Sequence, residues 1–257
     1  MPPKGVLVFY HGGGANSDAG YQLLGQGLAN EYSLVVYTPD LRGHGASQGP
    51  TGDAPTVEQV LVDANTVLDF VEQNEQDSKL PLFLGGHSSG GGFVLNYATW
   101  EGRSTYENKI VAYLLVSPQL GYLAQVDRPD IDLPFAKVNI LAFLANGLTG
   151  WWGHNPAVQF QYPPEILRDY DGMARYNTVN MANAITPNDP KGQFEAISKK
   201  TALWIGEDDE LSVASKVVKY AIDQKNMEGH VLSGESHLGI LAKLHQRIGP
   251  WILQHIA

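Results

Sequence analysis

The chain has 257 residues, 43% hydrophobic and 17% charged, a balance that is typical of one large globular domain and excludes a disordered chain or a coiled coil. Its 17 basic and 27 acidic residues give a net charge of −10, which opposes binding to nucleic acid or anionic lipid, so no nucleic-acid partner is expected. The chain contains no cysteine, which excludes disulfide frameworks, thiolate metal sites and a thiol nucleophile.

Short apolar and β-branched runs alternate along the chain with helical patterns. This alternation predicts an α/β fold, built from βαβ units around a mostly parallel central sheet with helices on both faces. A loop with glycine or polar residues follows each predicted strand. The predicted strands are residues 5–10, 34–38, 81–86, 110–116, 201–206 and 230–233.

Three helices are predicted to have packing roles. The clearest follows Pro55, where apolar residues recur at intervals of three and four, and Thr56 with Gln59 resembles a capping box. The other two run from 212 to about 224 and from about 238 to 256. We expect the last of them to close the chain on the sheet.

The alternation stops between residues 118 and 199, for longer than ordinary loop connections. We therefore expect a core formed by residues 1–117 and 200–257, with residues 118–199 inserted as a cap. The insertion is rich in aromatic and aliphatic residues, of which Phe143, Trp151 and Trp152 are candidate substrate-binding residues. A lid over an apolar pocket and an insertion that buries its own small core both fit this composition.

A G-x-S-x-G pattern, Gly86-His87-Ser88-Ser89-Gly90, lies between the strand 81–86 and a predicted helix. Its glycines allow a sharp turn that projects a serine hydroxyl at the helix N-terminus. Ser88 is therefore the candidate nucleophile. Ser89 competes with it, but the spacing favours Ser88. A plain glycine-rich turn is the alternative interpretation.

A serine hydroxyl becomes a good nucleophile only when a base takes its proton and a carboxylate orients that base. In this fold class the order along the chain is serine, acid, histidine. Asp209 follows the strand 201–206, and His237 follows the last predicted strand. A solvated acidic turn and a surface histidine are the alternatives for these two residues. Order and placement disfavour the rivals Glu207, Asp208, His230, His245 and His255.

Acyl transfer also needs backbone N–H donors for the oxyanion. The run His11-Gly12-Gly13-Gly14 follows the first strand, and we expect the Gly13 N–H to act together with the Ser89 N–H. A phosphate-binding glycine loop is disfavoured because no lysine follows it.

His11, His44 and His87 stand after different strands and lack the close spacing of a metal-ligand set, so neither a metal site nor a cofactor is predicted. Supporting structural roles are expected for these histidines. His11 and His87 are also candidate substrate-binding residues.

Residues 39–47 read PDLRGHGAS, a D-x-R-G-H-G-x-S loop after the second strand. With His-Gly-Gly before it and Gly-His-Ser, Gly-x-x-Asp and Ser-His after it, the chain resembles the α/β-hydrolase superfamily. Within that superfamily it is similar to the monoacylglycerol lipase, lysophospholipase and serine aminopeptidase group. The resemblance spans the chain outside the predicted cap. It implies the α/β-hydrolase fold, a triad of Ser88, Asp209 and His237, and Gly13 with Ser89 as oxyanion donors.

The chain departs from this group at its start. Family members usually carry an antiparallel hairpin ahead of the strand that begins here at Gly5, so the N-terminus is expected to be short and a truncated reading frame is one explanation. The first residues show no signal-peptide pattern, so a cytoplasmic location is the default expectation. The uncharged stretch 138–164 is interrupted by glycine, proline and asparagine, so no transmembrane segment is predicted. The sequence gives no indication of oligomeric state.

Hydrolysis of carboxylic esters with apolar acyl chains, such as monoacylglycerols or lysophospholipids, is the function that these patterns favour. An aminopeptidase or amidase of the same fold is a second hypothesis, which needs acidic cap residues such as Glu165 or Asp169 near a substrate amine. A non-catalytic protein that binds a small molecule is a third. Dehalogenase and epoxide hydrolase activities are disfavoured, because such relatives carry Asp at the position of Ser88.

Overall fold

The computed structural model describes residues 2–75, 79–129, 135–162 and 164–256. Its strands, in chain order, are β1 (Gly5–Tyr10), β2 (Leu34–Tyr37), β3 (Leu82–His87), β4 (Ile110–Val116), β5 (Ala136–Val138), β6 (Pro156–Phe160), β7 (Tyr176–Thr178), β8 (Lys200–Gly206) and β9 (Met227–Leu232). Its helices are α1 (Tyr21–Tyr32), α2 (Val57–Asn74), α3 (Ser89–Thr99), α4 (Ser104–Glu107), α5 (Ile140–Thr149), α6 (Pro164–Asp169), α7 (Val179–Ile185), α8 (Pro190–Ala196), α9 (Ala214–Ile222) and α10 (His245–Gln254).

The central sheet has the strand order β2-β1-β3-β4-β8-β9, and all of its pairings are parallel. The six strands predicted from the sequence are confirmed, with ends that differ by up to three residues. The chain moves outward from β1 to β2 and then returns to β3 on the other side of β1. This reversal opens a crevice at the carboxyl ends of β1 and β3, which is where open α/β sheets place their ligands.

Side-chain alternation along β1 divides the core into two layers. Successive strand residues point to opposite faces of the sheet. Val6, Val8 and Tyr10 therefore pack with apolar residues of α2 and α3, whereas Leu7 and Phe9 pack with those of α1 and α10. Both faces of the sheet are covered by helices, as the near-continuous apolar strand sequences predicted.

Two of the predicted helices differ in detail from the expectation. At the start of α2 the Thr56 hydroxyl accepts a hydrogen bond from the Gln59 N–H, but the Gln59 side chain donates to Asp63, so only half of the capping box forms. The last predicted helix is divided into a 3₁₀ segment, Gly239–Lys243, followed by α10. The 3₁₀ segment begins where the Ser236 hydroxyl accepts the Gly239 N–H, and i to i+3 hydrogen bonds tighten the turn.

Within residues 118–199, β5, β6 and β7 form a separate antiparallel sheet, which we call the cap sheet. Backbone hydrogen bonds from Ala174 to Gly14 and from Thr178 to Gly52 tie it to the loops after β1 and β2. Later in the same stretch, α7 packs against α2 and α3. The predicted boundaries of the cap stay a prediction.

None of the helices in the described ranges combines the length and apolar character needed to cross a membrane.

Candidate active site

The turn between β3 and α3 holds Ser88 in a conformation that depends on its glycine neighbours. Ser88 has φ 54° and ψ −122°, a strained combination for a residue with a side chain. A Cβ on Gly86 would lie 2.4 Å from the Gly90 carbonyl carbon, and a Cβ on Gly90 would lie 2.4 Å from the Tyr10 carbonyl oxygen. Only glycine fits at either position, so the tight turn depends on both glycines. Because the turn follows the end of β3, it places Ser88 at the carboxyl edge of the sheet.

The loops after β3, β8 and β9 bring the three predicted catalytic side chains into one hydrogen-bonded row. The Ser88 Oγ lies 3.0 Å from His237 Nε2, and His237 Nδ1 lies 2.8 Å from Asp209 Oδ2. When the Nδ1–H is donated to the carboxylate, Nε2 carries the lone pair that can accept the serine proton. The rivals take other partners: the Glu207 carboxylate accepts from Ser233, and His245 lies beside Glu31.

Asp209 is completely buried, so its charge needs compensating partners. One carboxylate oxygen faces His237, and the other accepts the backbone N–H groups of Leu211 at 3.0 Å and Ser212 at 2.9 Å. Burial raises the pKa of Asp209, but the hydrogen bond and charge of His237 and these two N–H groups outweigh it, so the pKa falls below its ordinary value. Asp209 therefore stays ionised at neutral pH.

His11 orients the peptide that carries the predicted oxyanion donor. Its Nδ1–H donates to the Gly12 carbonyl at 2.8 Å, while its Nε2 accepts the Leu41 N–H at 3.0 Å. In the trans peptide the Gly13 N–H points away from the Gly12 carbonyl, and so away from His11. A Cβ on Gly13 would lie 2.7 Å from the Ser89 Oγ, so the two residues predicted to stabilise the oxyanion are in contact.

His87 links the glycine loop to the loop of the candidate base. Its Nε2–H donates to the His237 carbonyl at 2.9 Å, and its Nδ1 accepts from the Tyr21 hydroxyl at 2.9 Å. The Tyr21 hydroxyl in turn accepts the Gly12 N–H at 2.8 Å. Every donor direction in this chain follows from the carbonyl at one end and the N–H at the other. His11 and His87 are both buried, and their rings link backbone groups of different loops. Their predicted contact with substrate stays a prediction.

Both supporting histidines are held neutral. Burial, with the neighbouring His44, lowers the pKa of His11 to about 4. Burial, with the neighbouring His237, lowers the pKa of His87 to about 3. Each imidazole therefore keeps one donor and one acceptor, as its two hydrogen bonds require.

Several residues at the site had no signal in the sequence analysis. The Tyr162 hydroxyl donates to the Gly13 carbonyl at 3.2 Å, and the Phe160 ring lies 3.2 Å from the Cβ position of Gly13. Phe135 packs on both rings, so this aromatic cluster covers the glycine loop. Glu210 accepts the backbone N–H of His237 at 2.9 Å. The sequence shows that the cap is rich in aromatic residues, but no pattern distinguishes Phe135, Phe160 and Tyr162 from the others.

The candidate substrate-binding residues of the cap lie elsewhere. Trp151 and Trp152 are exposed at the end of α5, and Phe143 is half-buried on the same helix against the small cluster of Ala142, Ala157 and Val179. Their predicted contact with substrate stays a prediction. Within the described ranges, no group of three or more His, Asp or Glu side chains is arranged to hold a metal ion.

Residues 1–237 match the family model described as serine aminopeptidase, S33. The chain belongs to the serine aminopeptidase S33 family. Its parallel sheet has the α/β-hydrolase architecture that the resemblance implied.

Two yeast proteins match this S33 family member over part of its length. A Schizosaccharomyces pombe protein provisionally named monoglyceride lipase is 37% identical over 120 residues, which cover 46% of this chain and 30% of that protein. The Saccharomyces cerevisiae monoglyceride lipase is 31% identical over 118 residues, which cover 45% of this chain and 36% of that protein. These matches span about a third of the length of the curated relatives.

Solved structures share the fold over nearly the whole chain. A soluble variant of the S. cerevisiae monoglyceride lipase, in complex with a substrate analogue, has a TM-score of 0.77 at 17% identity and covers 99% of this chain and 87% of that one. The monoacylglycerol lipase of Paleococcus ferrophilus has a TM-score of 0.65 at 21% identity and covers 99% of this chain and 96% of that one. At these identities the likeness establishes the fold.

Replacing Gly90 by alanine tests the elbow. The new Cβ would meet the Tyr10 and His11 carbonyl oxygens, so we expect Gly90→Ala to lower the free energy of unfolding by about 1 to 3 kcal/mol. Urea denaturation measures this loss. Gly147→Ala is the matched control, because a Cβ there meets nothing within 4 Å. If Gly90→Ala were as stable as the wild type, the start of α3 could not lie as close to the end of β1 as the structure places it.

The two neutral histidines predict a pH dependence of stability. In the unfolded chain, a histidine takes up a proton at about pH 6.5. In the folded state, the pKa of His11 is about 4 and the pKa of His87 is about 3. The stability that these two neutral rings contribute to the fold is fully present above the pKa of the unfolded state. It is lost as the pH falls below about 6.5. Each group adds a slope of about 1.4 kcal/mol per pH unit.

Nuclear magnetic resonance tests the same histidines directly. Imidazole ¹⁵N spectra should show His11 as the Nδ1–H tautomer and His87 as the Nε2–H tautomer, both unchanged from neutral pH to about pH 5. Single His→Gln variants assign the signals. Titration of either ring near pH ~6.5 would show that it is not buried and paired as described.

Proposed function

We propose that the protein hydrolyses carboxylic esters with an apolar acyl chain, with Ser88 as nucleophile, His237 as general base and Asp209 as the carboxylate that orients it. The observation that carries the proposal is the continuous hydrogen-bonded row from Ser88 through His237 to Asp209. The strained elbow and the adjacent glycine loop support it, because acyl transfer needs both an exposed hydroxyl and oxyanion donors.

In the first half of the reaction, the Ser88 oxygen attacks the ester carbonyl carbon while His237 Nε2 takes the hydroxyl proton. The carbonyl oxygen becomes an oxyanion, which the backbone N–H groups of Gly13 and Ser89 stabilise. The ionised Asp209 stabilises the imidazolium through its Nδ1–H. His237 then gives its proton to the leaving alcohol as the carbon–oxygen bond breaks, and the acyl group stays on Ser88.

In the second half, His237 takes a proton from a water molecule, and the resulting hydroxyl attacks the acyl carbon. The bond to the Ser88 oxygen breaks, the proton returns to Ser88, and the carboxylic acid leaves. His87 and Glu210 support both halves, because each holds a backbone group of His237. The ring can thus exchange protons without a change of position.

The residues that cover the glycine loop and the names of the relatives support a proposal for the substrate class. Phe135, Phe160 and Tyr162 present aromatic surface next to Gly13, which suits an apolar acyl chain and not a charged one. Two relatives carry the name monoglyceride lipase. We therefore propose a monoacylglycerol or a similar lipid ester as the substrate.

Amide hydrolysis is the competing activity, since the family description names an aminopeptidase. This hypothesis needs acidic cap residues such as Glu165 or Asp169 near a substrate amine. The side chains of these two residues lie outside the described part of the chain. The ester proposal instead relies on side chains that the structure describes.

Turnover of p-nitrophenyl esters across a short-to-long acyl series, with monoacylglycerol alongside, tests the proposal. Ser88→Ala should reduce kcat by roughly 10⁴-fold or more, because the nucleophile is lost. Ser89→Ala should keep most of the activity, because alanine keeps the backbone N–H. An aminoacyl p-nitroanilide is the amide control.

Ester turnover that survives Ser88→Ala unchanged would contradict the mechanism. Faster turnover of the anilide than of every ester would support the amidase hypothesis instead. No turnover of any of these substrates would support a binding protein that keeps the fold.

A further inference from the structure

The loop that carries Asp209 concentrates negative charge. We call residues 207–213 the acid loop; its first four residues read Glu-Asp-Asp-Glu and directly follow β8. Like charges at this spacing repel one another, which favours a more open loop. The hydrogen bonds from Leu211 and Ser212 to the Asp209 carboxylate lie within the loop, so they do not fix it to the rest of the protein.

A second segment, residues 124–128, holds the acid loop from outside. The two form a short antiparallel ladder, in which the Arg128 N–H donates to the Leu211 carbonyl at 3.0 Å. In the same ladder the Val213 N–H donates to the Val126 carbonyl at 2.8 Å. Helix α9 fastens this segment by two side-chain hydrogen bonds, from Tyr220 to the Ala124 carbonyl and from Lys216 to the Gln125 carbonyl.

The Arg128 side chain extends this contact to Asp209 itself. Its guanidinium donates from Nε to the Asp209 carbonyl at 2.5 Å and from Nη2 to the Glu207 carbonyl at 3.2 Å. A hydrogen bond from a charged donor is stronger than one from a neutral donor. The ladder alone does not reach the Asp209 carbonyl, whereas the guanidinium does.

Both peptide groups that flank the Asp209 Cα are therefore hydrogen-bonded. The Asp209 N–H donates to the Gly206 carbonyl at 3.3 Å, and the Asp209 carbonyl accepts from Arg128. Because these two peptide planes set the direction in which Cβ leaves the backbone, they also set where the carboxylate can point. In this structure it points at His237 Nδ1.

We propose that Arg128 is a positioning residue, which acts through Asp209 by holding the Asp209 backbone so that the carboxylate faces His237. The inference rests on the proposed function, because it takes Asp209 as the group that orients His237. With a displaced carboxylate, the imidazole would lose its preferred tautomer, and Nε2 would no longer keep the lone pair that accepts the Ser88 proton. Arg128 thus affects the rate of the reaction and not the binding of substrate.

Ester hydrolysis by Arg128→Ala tests the proposal. We expect kcat to fall by about tenfold or more, because a small displacement of an orienting group is costly to catalysis. KM should stay within about twofold of the wild-type value, because the substrate loses no contact. Arg128→Lys keeps the charge but not the planar fork, so it should recover part of kcat. Urea denaturation checks that each variant is folded, and Arg128→Lys carries the test if Arg128→Ala does not fold.

Arg103→Ala is the matched control. The Arg103 guanidinium also donates to a backbone carbonyl, that of Trp100 at 2.6 Å. It follows the end of α3, however, whereas Ser88 precedes the start of that helix. We expect Arg103→Ala to keep the wild-type kcat.

Rescue by guanidinium chloride, at concentrations far below those that unfold the protein, separates positioning from a general loss of stability. Arg128 is exposed, so a guanidinium ion can reach the two carbonyls that Arg128→Ala leaves free. The ion should raise kcat of Arg128→Ala. It should not raise kcat of the wild type or of Arg103→Ala.

A measurement without substrate separates this inference from the proposed function. The His237 Nδ1 proton faces the Asp209 carboxylate and is expected as a downfield proton magnetic resonance signal, which His237→Gln assigns. The signal should persist in Arg103→Ala and should shift or broaden in Arg128→Ala. A protein that hydrolyses no ester would contradict the proposed function, yet this signal would still show whether Arg128 holds the pair.

Three results would overturn the proposal. Arg128→Ala could keep the wild-type kcat and an unchanged His237 signal, or Arg103→Ala could lose as much activity. KM could instead rise at constant kcat, with no rescue by guanidinium. That last result would make Arg128 a substrate-binding residue.

Discussion

The geometry of the site depends on close contact between two backbone segments, the end of β1 and the start of α3, at the carboxyl edge of the sheet. The start of α3 lies so close to the end of β1 that a single Cβ on Gly90 would collide with the Tyr10 and His11 carbonyl groups. This contact fixes Ser88 relative to the glycine loop. The strain at Ser88 is tolerated because β3, β4 and the loop after β4 hold the turn on both sides, with the Ser88 N–H donating to Val116 and its carbonyl accepting from Gln119.

Three histidines at this edge have different roles because their partners differ. His237 has a carboxylate on one nitrogen and the Ser88 hydroxyl on the other, which is the arrangement that the proposed proton transfer from Ser88 requires. His11 and His87 are buried among carbonyl, N–H and hydroxyl groups, and burial lowers the pKa of each ring. They serve as rigid connectors of loops that belong to different strands. The two buried imidazoles stay neutral, and only His237 contacts the Ser88 hydroxyl.

Much of this arrangement could be predicted from the sequence, because its signals are local. The strands are apolar runs, and the elbow at Ser88 is a five-residue pattern. Chain order and position after a strand indicate Asp209 and His237, and the structure brings both to Ser88. What the sequence could not predict depends on contacts between distant residues. Tyr21 meets His87 across 66 positions and Tyr162 meets Gly13 across 149, and no local pattern indicates either pair.

The cap shows the same limit. Its aromatic composition predicted an apolar role but could not divide the residues between the site and the outer surface. The structure places Phe160 and Tyr162 on the glycine loop, whereas Trp151 and Trp152 face outward. Only the fold of the cap sheet determines which of these side chains lie on the glycine loop and which face solvent.

Covalent labelling tests most directly whether His237, held by Asp209, activates Ser88. An alkyl fluorophosphonate transfers its phosphonyl group to an activated serine and loses fluoride, and peptide mass spectrometry identifies the labelled residue. We expect a single adduct on Ser88, formed at a rate that His237→Ala lowers by orders of magnitude. An adduct on Ser89, or equal labelling rates in the wild type and His237→Ala, would contradict it.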